Sequence, residues 1–167
     1  DDSQGVRINN RFFRGGNSFR GFDVAGLGPR EIIRLFDPNT GEVLETRRLN
    51  SLGGNAYYQG TFELTVPNFL PEEYGIKSAL FVDVGALGLL EDVDKSDPIF
   101  IDNASSLLTG ASAVRITKDA ASLRASAGLS VFWDSPFGPI RFDFSQILRK
   151  EEYDRTQSFR FSTSTNF

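Results

Sequence analysis

Apolar and polar residues alternate with a period of two over five stretches of the chain. In "AYYQGTFELTV" (56–66), Ala56, Tyr58, Gly60, Phe62, Leu64 and Val66 fall on one face, and Tyr57, Gln59, Thr61, Glu63 and Thr65 on the other. "IKSALFVDVGAL" (76–87) sets Ile76, Leu80, Val82 and Val84 against Lys77, Phe81 and Asp83. "LRASAGLSVFWD" (123–134) sets Leu123, Leu129, Val131 and Trp133 against Arg124, Ser126, Ser130 and Asp134. "IRFDFSQIL" (140–148) and "FRFSTSTNF" (159–167) repeat the scheme, with Phe142 and Phe144 opposite Arg141 and Asp143, and Phe159, Phe161 and Phe167 opposite Arg160 and Ser162. Successive side chains of a strand point to opposite faces, so the pattern predicts five strands. Each is long enough to cross a bilayer at a tilt, which takes about 9–11 residues.

The stretches between them differ in character. Residues 23–55 and 88–122 read as long loops, and "RKEEYDRTQ" (149–157) as a charged one. "PNFLPEEYG" (67–75) and "SPFG" (135–138) read as short turns. Long connections alternating with short ones are the habit of an outer-membrane meander. Alternation alone does not say which face is inside. In a soluble antiparallel sandwich the apolar face is the core; in a membrane barrel it meets lipid while the polar face lines the lumen. Loop asymmetry and a terminal aromatic residue favour the membrane reading.

Composition removes whole classes of chemistry. The 167 residues include no Cys, no Met and no His. Thiol nucleophiles, disulfides, Ser-His and Cys-His pairs and the usual zinc ligands are therefore excluded. The missing Met implies that something upstream has been removed. No run of about 18 apolar residues predicts a helical span or a signal peptide. A net charge of −4 argues against a nucleic-acid partner, which calls for a basic face. The 16 Phe must meet a core, a partner or lipid.

Three motifs invite a functional reading. "GGNSFRGF" (15–22) approaches a phosphate loop, with Gly16 and Gly21 correctly spaced, but Phe22 stands where Lys is required and no strand–loop–helix context follows. "DVDKSD" (92–97) resembles the start of a calcium loop, yet Asp97 replaces the turn glycine and Asn103 the bidentate Glu, leaving an acidic loop. Glu63 and Asp83 lie on the polar faces of successive strands, and no sugar cleft accompanies them to suggest glycosidase chemistry. No catalytic residue, cofactor or metal is expected.

Taken in order, "RFFRGGNSFRGF" (11–22), "LGGNAYYQGTFELTVP" (52–67), "ALFVDVG" (79–85), "LRASAGLSVFWDSPFGPIRFDFSQIL" (123–148) and the terminal "FRFSTSTNF" resemble the C-terminal barrel portion of the BamA-type outer-membrane β-barrel assembly factors, of the bacterial surface antigen superfamily. The resemblance implies an all-β antiparallel meander: the end of a strand and a long Arg-Gly-Phe loop folded inward over 11–55, then the last five strands over 56–167. It implies that Arg20 reaches Glu63 and Asp83 inside the barrel, with Gly21 turning the backbone beside the wall and Phe22 packing it in place. The final strand resembles the family's β-signal, with Phe159, Phe161 and Phe167 facing lipid. Ser164 stands where the family commonly has Gly, and Phe167 where some members have Trp.

The implied function is insertion of β-barrel proteins into the bacterial outer membrane by strand templating at the barrel seam, without catalysis. The implied partners are unfolded outer-membrane clients, outer-membrane lipid, and accessory lipoproteins reached through POTRA domains that precede the barrel and are absent from these residues. A closed bacterial barrel needs at least about eight strands, so the chain reads as a fragment with earlier strands missing, and in isolation it is expected to self-associate. A related two-partner secretion pore and a soluble β-sandwich binding module are the alternatives.

Overall fold

The computed structural model describes residues 7–37, 39–89, 99–101 and 112–163. Among them are nine strands and two single-turn 3-10 helices (Ile8–Asn10 and Glu72–Tyr74). In chain order the strands are β1 (Arg30–Phe36), β2 (Val43–Ser51), β3 (Ala56–Val66), β4 (Ile76–Gly88), β5 (Ile99–Ile101), β6 (Ser112–Lys118), β7 (Arg124–Ser135), β8 (Gly138–Arg149) and β9 (Phe159–Thr163). They form two antiparallel sheets, one ordered β2–β1–β6–β5 and the other β3–β4–β7–β8–β9.

The four-stranded sheet corrects the sequence reading, which made loops of 23–55 and 88–122. β1, "REIIRLF", carries adjacent buried isoleucines rather than an alternating pair of faces, and β2, "VLETRRLNS", is largely polar on both. Neither shows the period of two by which a half-buried strand is recognised. β1 is instead defined by pairing at a distance, with Arg30 opposite Lys118 and Phe36 opposite Ser112. Its apolar centre is small: Ile33 and Leu35, with Leu49 packed against them. The acidic loop 92–97 and Asn103 lie outside the described residues. Near the start of 11–55, the range read as a strand end and a long loop, an antiparallel bridge joins Phe12 to Gly54.

The chain divides into two compact units. One gathers Gly28–Tyr57 and Leu87–Ala121 with the N-terminal residues, and the other gathers Arg14–Leu27, Tyr58–Ala86 and Ser122–Phe167. The second contains most of the five-stranded sheet, whose first four strands coincide with the alternating stretches to within about two residues, while β9 covers 159–163 of the fifth and residues 164–167 lie outside the described residues.

Local chemistry sets the turns of this sheet. Pro67, lacking an N–H, follows the end of β3, and Asn68 Nδ2 donates to the Ile76 carbonyl (2.6 Å) to close the β3–β4 turn. The β7–β8 hairpin is closed by two residues, with Ser135 opposite Gly138 and the Ser135 hydroxyl donating to the Gly138 carbonyl (2.6 Å).

The faces of this sheet are inverted relative to a soluble protein. On β4, Phe81 and Asp83 are buried while Leu80, Val82 and Val84 are exposed. One outward row runs Leu80–Leu129–Phe144–Phe159 across four strands, and the next runs Ser78–Val131–Phe142–Phe161. Phe62 and Phe144 are 66% and 49% exposed. The inward rows are polar: Ala79–Ser130–Asp143–Arg160 and Lys77–Phe132–Arg141–Ser162. A water-soluble sandwich buries its apolar rows. This sheet buries Asp83, Ser126, Ser130 and Asp143 instead, as the wall of a transmembrane barrel does. The exposed apolar rows and buried polar ones argue against the soluble sandwich.

Candidate functional site: an arginine seated on the polar wall

Residues 14–27 form a loop closed on itself. The Gly16 N–H donates to the carbonyls of Phe22 and Asp23 (2.9 and 3.1 Å), and the Leu27 N–H to Arg14 (3.2 Å). Gly15, at φ +132°, leaves no room for a side chain, because a Cβ there would lie 2.0 Å from the Asp23 carbonyl oxygen. Phe19 and Phe22 are buried and meet edge to face at 5.1 Å, giving the loop an apolar base.

This loop delivers Arg20 to the inward face of β3, β4 and β7. Arg20 Nε and Nη2 each lie 2.8 Å from an oxygen of Asp83, a bidentate pair. The Arg20 backbone N–H donates to the same carboxylate (3.1 Å), and Nη1 reaches Glu63 Oε2 at 2.5 Å. The Ser126 hydroxyl donates to the Arg20 carbonyl (2.6 Å), and the guanidinium stacks over the Phe81 ring at 3.7 Å. Every one of these partners is contributed by a strand that alternation had already aimed at the polar face. Burial acts to lower the affinity of Arg20 for its proton. Hydrogen bonds and charge from Asp83 and Glu63 outweigh it, so the guanidinium is held above its ordinary pKa.

Gly21 follows at φ +86°, a conformation that favours glycine. A Cβ at this position would approach Ile147 Cδ1 at 2.8 Å, Ser126 Cβ at 3.1 Å and Ser145 Cβ at 3.2 Å, so the backbone lies directly against β7 and β8. Phe22 is fully buried and forms an antiparallel bridge with Thr156.

Arg20, Gly21, Phe22, Glu63 and Asp83 therefore occupy one place. Phe159 and Phe161 lie apart from them, on the outward face of the edge strand β9, beside Phe144 and Phe142. Ser164 and Phe167 lie outside the described residues.

The structure adds residues that sequence reasoning left on an anonymous polar face. Arg141 Nε is 2.8 Å from Asp143 Oδ1, and Arg141 Nη2 is 3.8 Å from Glu63 Oε2. Ser130 donates to Asp143 (2.5 Å) and accepts from Arg141 Nη2 (3.1 Å). Two cations and three carboxylates thus share one network, with Glu63 between the arginines. A cavity of about 190 Å³ opens beside it, lined by Arg20, Thr61, Glu63 and Arg141 among others. The available signal was the i, i+2 spacing of Arg141 and Asp143 within an alternating strand.

Comparison with known proteins resolves the family. The Omp85 superfamily domain model matches residues 2–167. The chain belongs to the Omp85 superfamily. It is 33% identical over 164 residues to the outer membrane protein assembly factor BamA of Neorickettsia risticii (strain Illinois), covering 98% of this chain and 17% of that protein. It is 29% identical over 160 residues to the protein of the same name from Neisseria meningitidis serogroup B (strain ATCC BAA-335 / MC58), covering 93% of this chain and 18% of that one. It thus spans less than a fifth of these curated relatives. Among solved structures, BamA from Haemophilus ducreyi lacking POTRA domains 1–3 superposes with a TM-score of 0.62 at 24% identity, over 92% of this chain and 26% of the other, a likeness of fold. For this Omp85 member the inverted sheet is a stretch of transmembrane barrel wall, left unclosed within these residues.

Proposed function

We propose that this Omp85 chain is the C-terminal barrel portion of a BamA-type assembly factor, which inserts and folds β-barrel proteins in the bacterial outer membrane. The carrying observation is the 33% identity to an outer-membrane protein assembly factor across 98% of the chain. Both curated relatives bear the assembly name, which favours assembly over a secretion pore. The chain is integral to the outer membrane, its outward Leu and Phe rows facing lipid. Its work is non-enzymatic.

In this reading β3, β4, β7, β8 and β9 are the last five strands of a larger barrel, preceded in the whole protein by further strands and POTRA domains. Unfolded outer-membrane proteins are the clients, outer-membrane lipid is the solvent, and accessory lipoproteins bind through the POTRA domains. The C-terminal segment that carries Phe159, Phe161, Ser164 and Phe167 is the β-signal and seam, where edge pairing templates client strands. Arg20, supported by Gly21 and Phe22, latches the inner loop to Glu63 and Asp83. A buried ion pair contributes more to placement than to net stability, so the latch specifies where the loop sits.

Arg20→Ala in the full-length protein tests the reading. The loop is expected to become protease-sensitive, and cells depleted of the native copy are expected to grow poorly when complemented with the variant. Full growth and an unchanged digestion pattern would defeat it.

A further inference from the structure

Arg124, at the start of β7, is wholly buried and belongs to no part of the latch. Its Nε is 3.0 Å from Asp154 Oδ2 and its Nη2 3.3 Å from Oδ1, and neither side chain is accessible to solvent. Nη1 donates to the Ser122 carbonyl (2.9 Å) and Nη2 to the Tyr153 hydroxyl (3.2 Å). Asp154 also accepts the Glu151 N–H (2.8 Å), and Ser122 donates to the Glu151 carboxylate. The β8–β9 connection, read from sequence as a charged loop, is thus tied to the barrel wall by a buried, hydrogen-bonded pair.

What that pair positions is the next three residues. The Arg155 N–H donates to the Gly26 carbonyl (2.9 Å), the Asp23 N–H to the Arg155 carbonyl (3.0 Å), and the Gln157 N–H to the Gly21 carbonyl (2.9 Å). Thr156 is bridged to Phe22, and Arg155 Nη2 lies 3.0 Å from Asp23 Oδ2. Two residues beyond Gln157 the chain enters β9, which holds β8 through five register pairs among the described residues. Residues 21–26 are therefore gripped on their backbone by the segment that leads into the edge strand.

We propose that Arg124 and Asp154 are positioning residues that set a second clasp on the inner loop, and that this clasp couples loop seating to the attachment of β9. Arg20 holds the loop to β3 and β4 through side chains; residues 155–157 hold it to the edge strand through backbone. Loosening the clasp frees the loop and β9 together. The coupling rests on the barrel assignment above but not on assembly activity, and its test reads local structure alone.

These 167 residues have no cysteine, so once any cysteine elsewhere in the full-length protein is replaced by serine, the test runs directly in outer-membrane vesicles. Asp23→Cys with Arg155→Cys places a disulfide across the clasp, and Ser162→Cys in the same chain reports access to β9 by thiol labelling, read at residue 162 by peptide mapping. Arg124→Met is expected to raise cleavage within 15–27 by roughly a hundredfold when opening limits the rate, and labelling at 162 in parallel. The oxidised 23–155 pair is expected to reverse both, and Arg124→Lys to lie between. If Arg124→Met fails to fold, the 23–155 pair alone decides: its reduction must raise labelling at 162 relative to the oxidised form. Labelling at 162 that is the same oxidised and reduced, or loosening confined to 149–157, overturns the coupling.

Discussion

The two buried arginines of the second unit use the same chemistry in opposite ways. Arg124 faces one carboxylate, and both side chains are sealed from solvent. Arg20 divides its guanidinium between a buried Asp83 and a Glu63 that is 37% exposed, and Glu63 already has a second cation, Arg141, within 3.8 Å. When an enclosed pair breaks, each charge is stranded in a low dielectric. When Arg20 leaves, Glu63 keeps both water and Arg141. The Arg124 pair is a fixed joint enclosed on both sides, and the Arg20 site is a catch enclosed at Asp83 and open at Glu63.

The largest expected effect tests the fixed joint. Asp154→Asn leaves the Arg124 guanidinium buried without its counter-charge and is expected to destabilise the barrel by about 3–5 kcal/mol, read from the urea midpoint for loss of the folded, heat-modifiable band. A shift no larger than that of a surface variant would erase the distinction between the two sites. Asp83→Asn comes next. It weakens three acceptances from Arg20 but leaves Glu63 as a partner, so roughly 1–3 kcal/mol is expected, appearing as protease access to 15–27 before any global unfolding. Glu63→Gln, at the wet end of the catch, is expected to cost at most about 1 kcal/mol, and less in high salt, in the same digestion assay. At the bottom of the series is Arg47→Ala. Its pair with Glu45 (2.7 Å) lies open on β2, and its removal is expected to leave urea midpoint and loop protection unchanged.

The same contrast marks what could be read from sequence. β3, β4, β7 and β8 were legible because each has one face for lipid and one for the lumen, and a two-sided environment imprints a period of two. Arg20, Glu63 and Asp83 were legible through family likeness joined to that period, which had already put both carboxylates on one side. β1, β2, β5 and β6 were not. Glu31 meets Thr117 and Ile33 meets Arg115, partners more than eighty residues away that no local window contains. Arg141, Asp143, Arg124 and Asp154 stayed hidden because a charged residue on a polar face looks the same whether it meets water or another charge. Only the register, which sets Ser130 opposite Asp143, and the return of residues 150–157 to β7 distinguish the two.

Phe81 lies flat across the strand where Gly128 stands opposite it, and Gly21 presses between Ser126 and Ser145. The footprint of the loop is therefore a patch of missing atoms. A Cβ on Gly128 would lie 2.0 Å from the Phe144 carbonyl oxygen and 2.7 Å from the Phe81 ring, so that glycine serves the wall itself, and the two serines under the loop are the smallest polar residues that still offer a hydroxyl. Electrostatic specification fails when something is taken away; steric specification fails when something is added. Bulk introduced at 126 or 145 would evict the loop with every charge intact, so those two small residues act as a gauge that admits one backbone at one height.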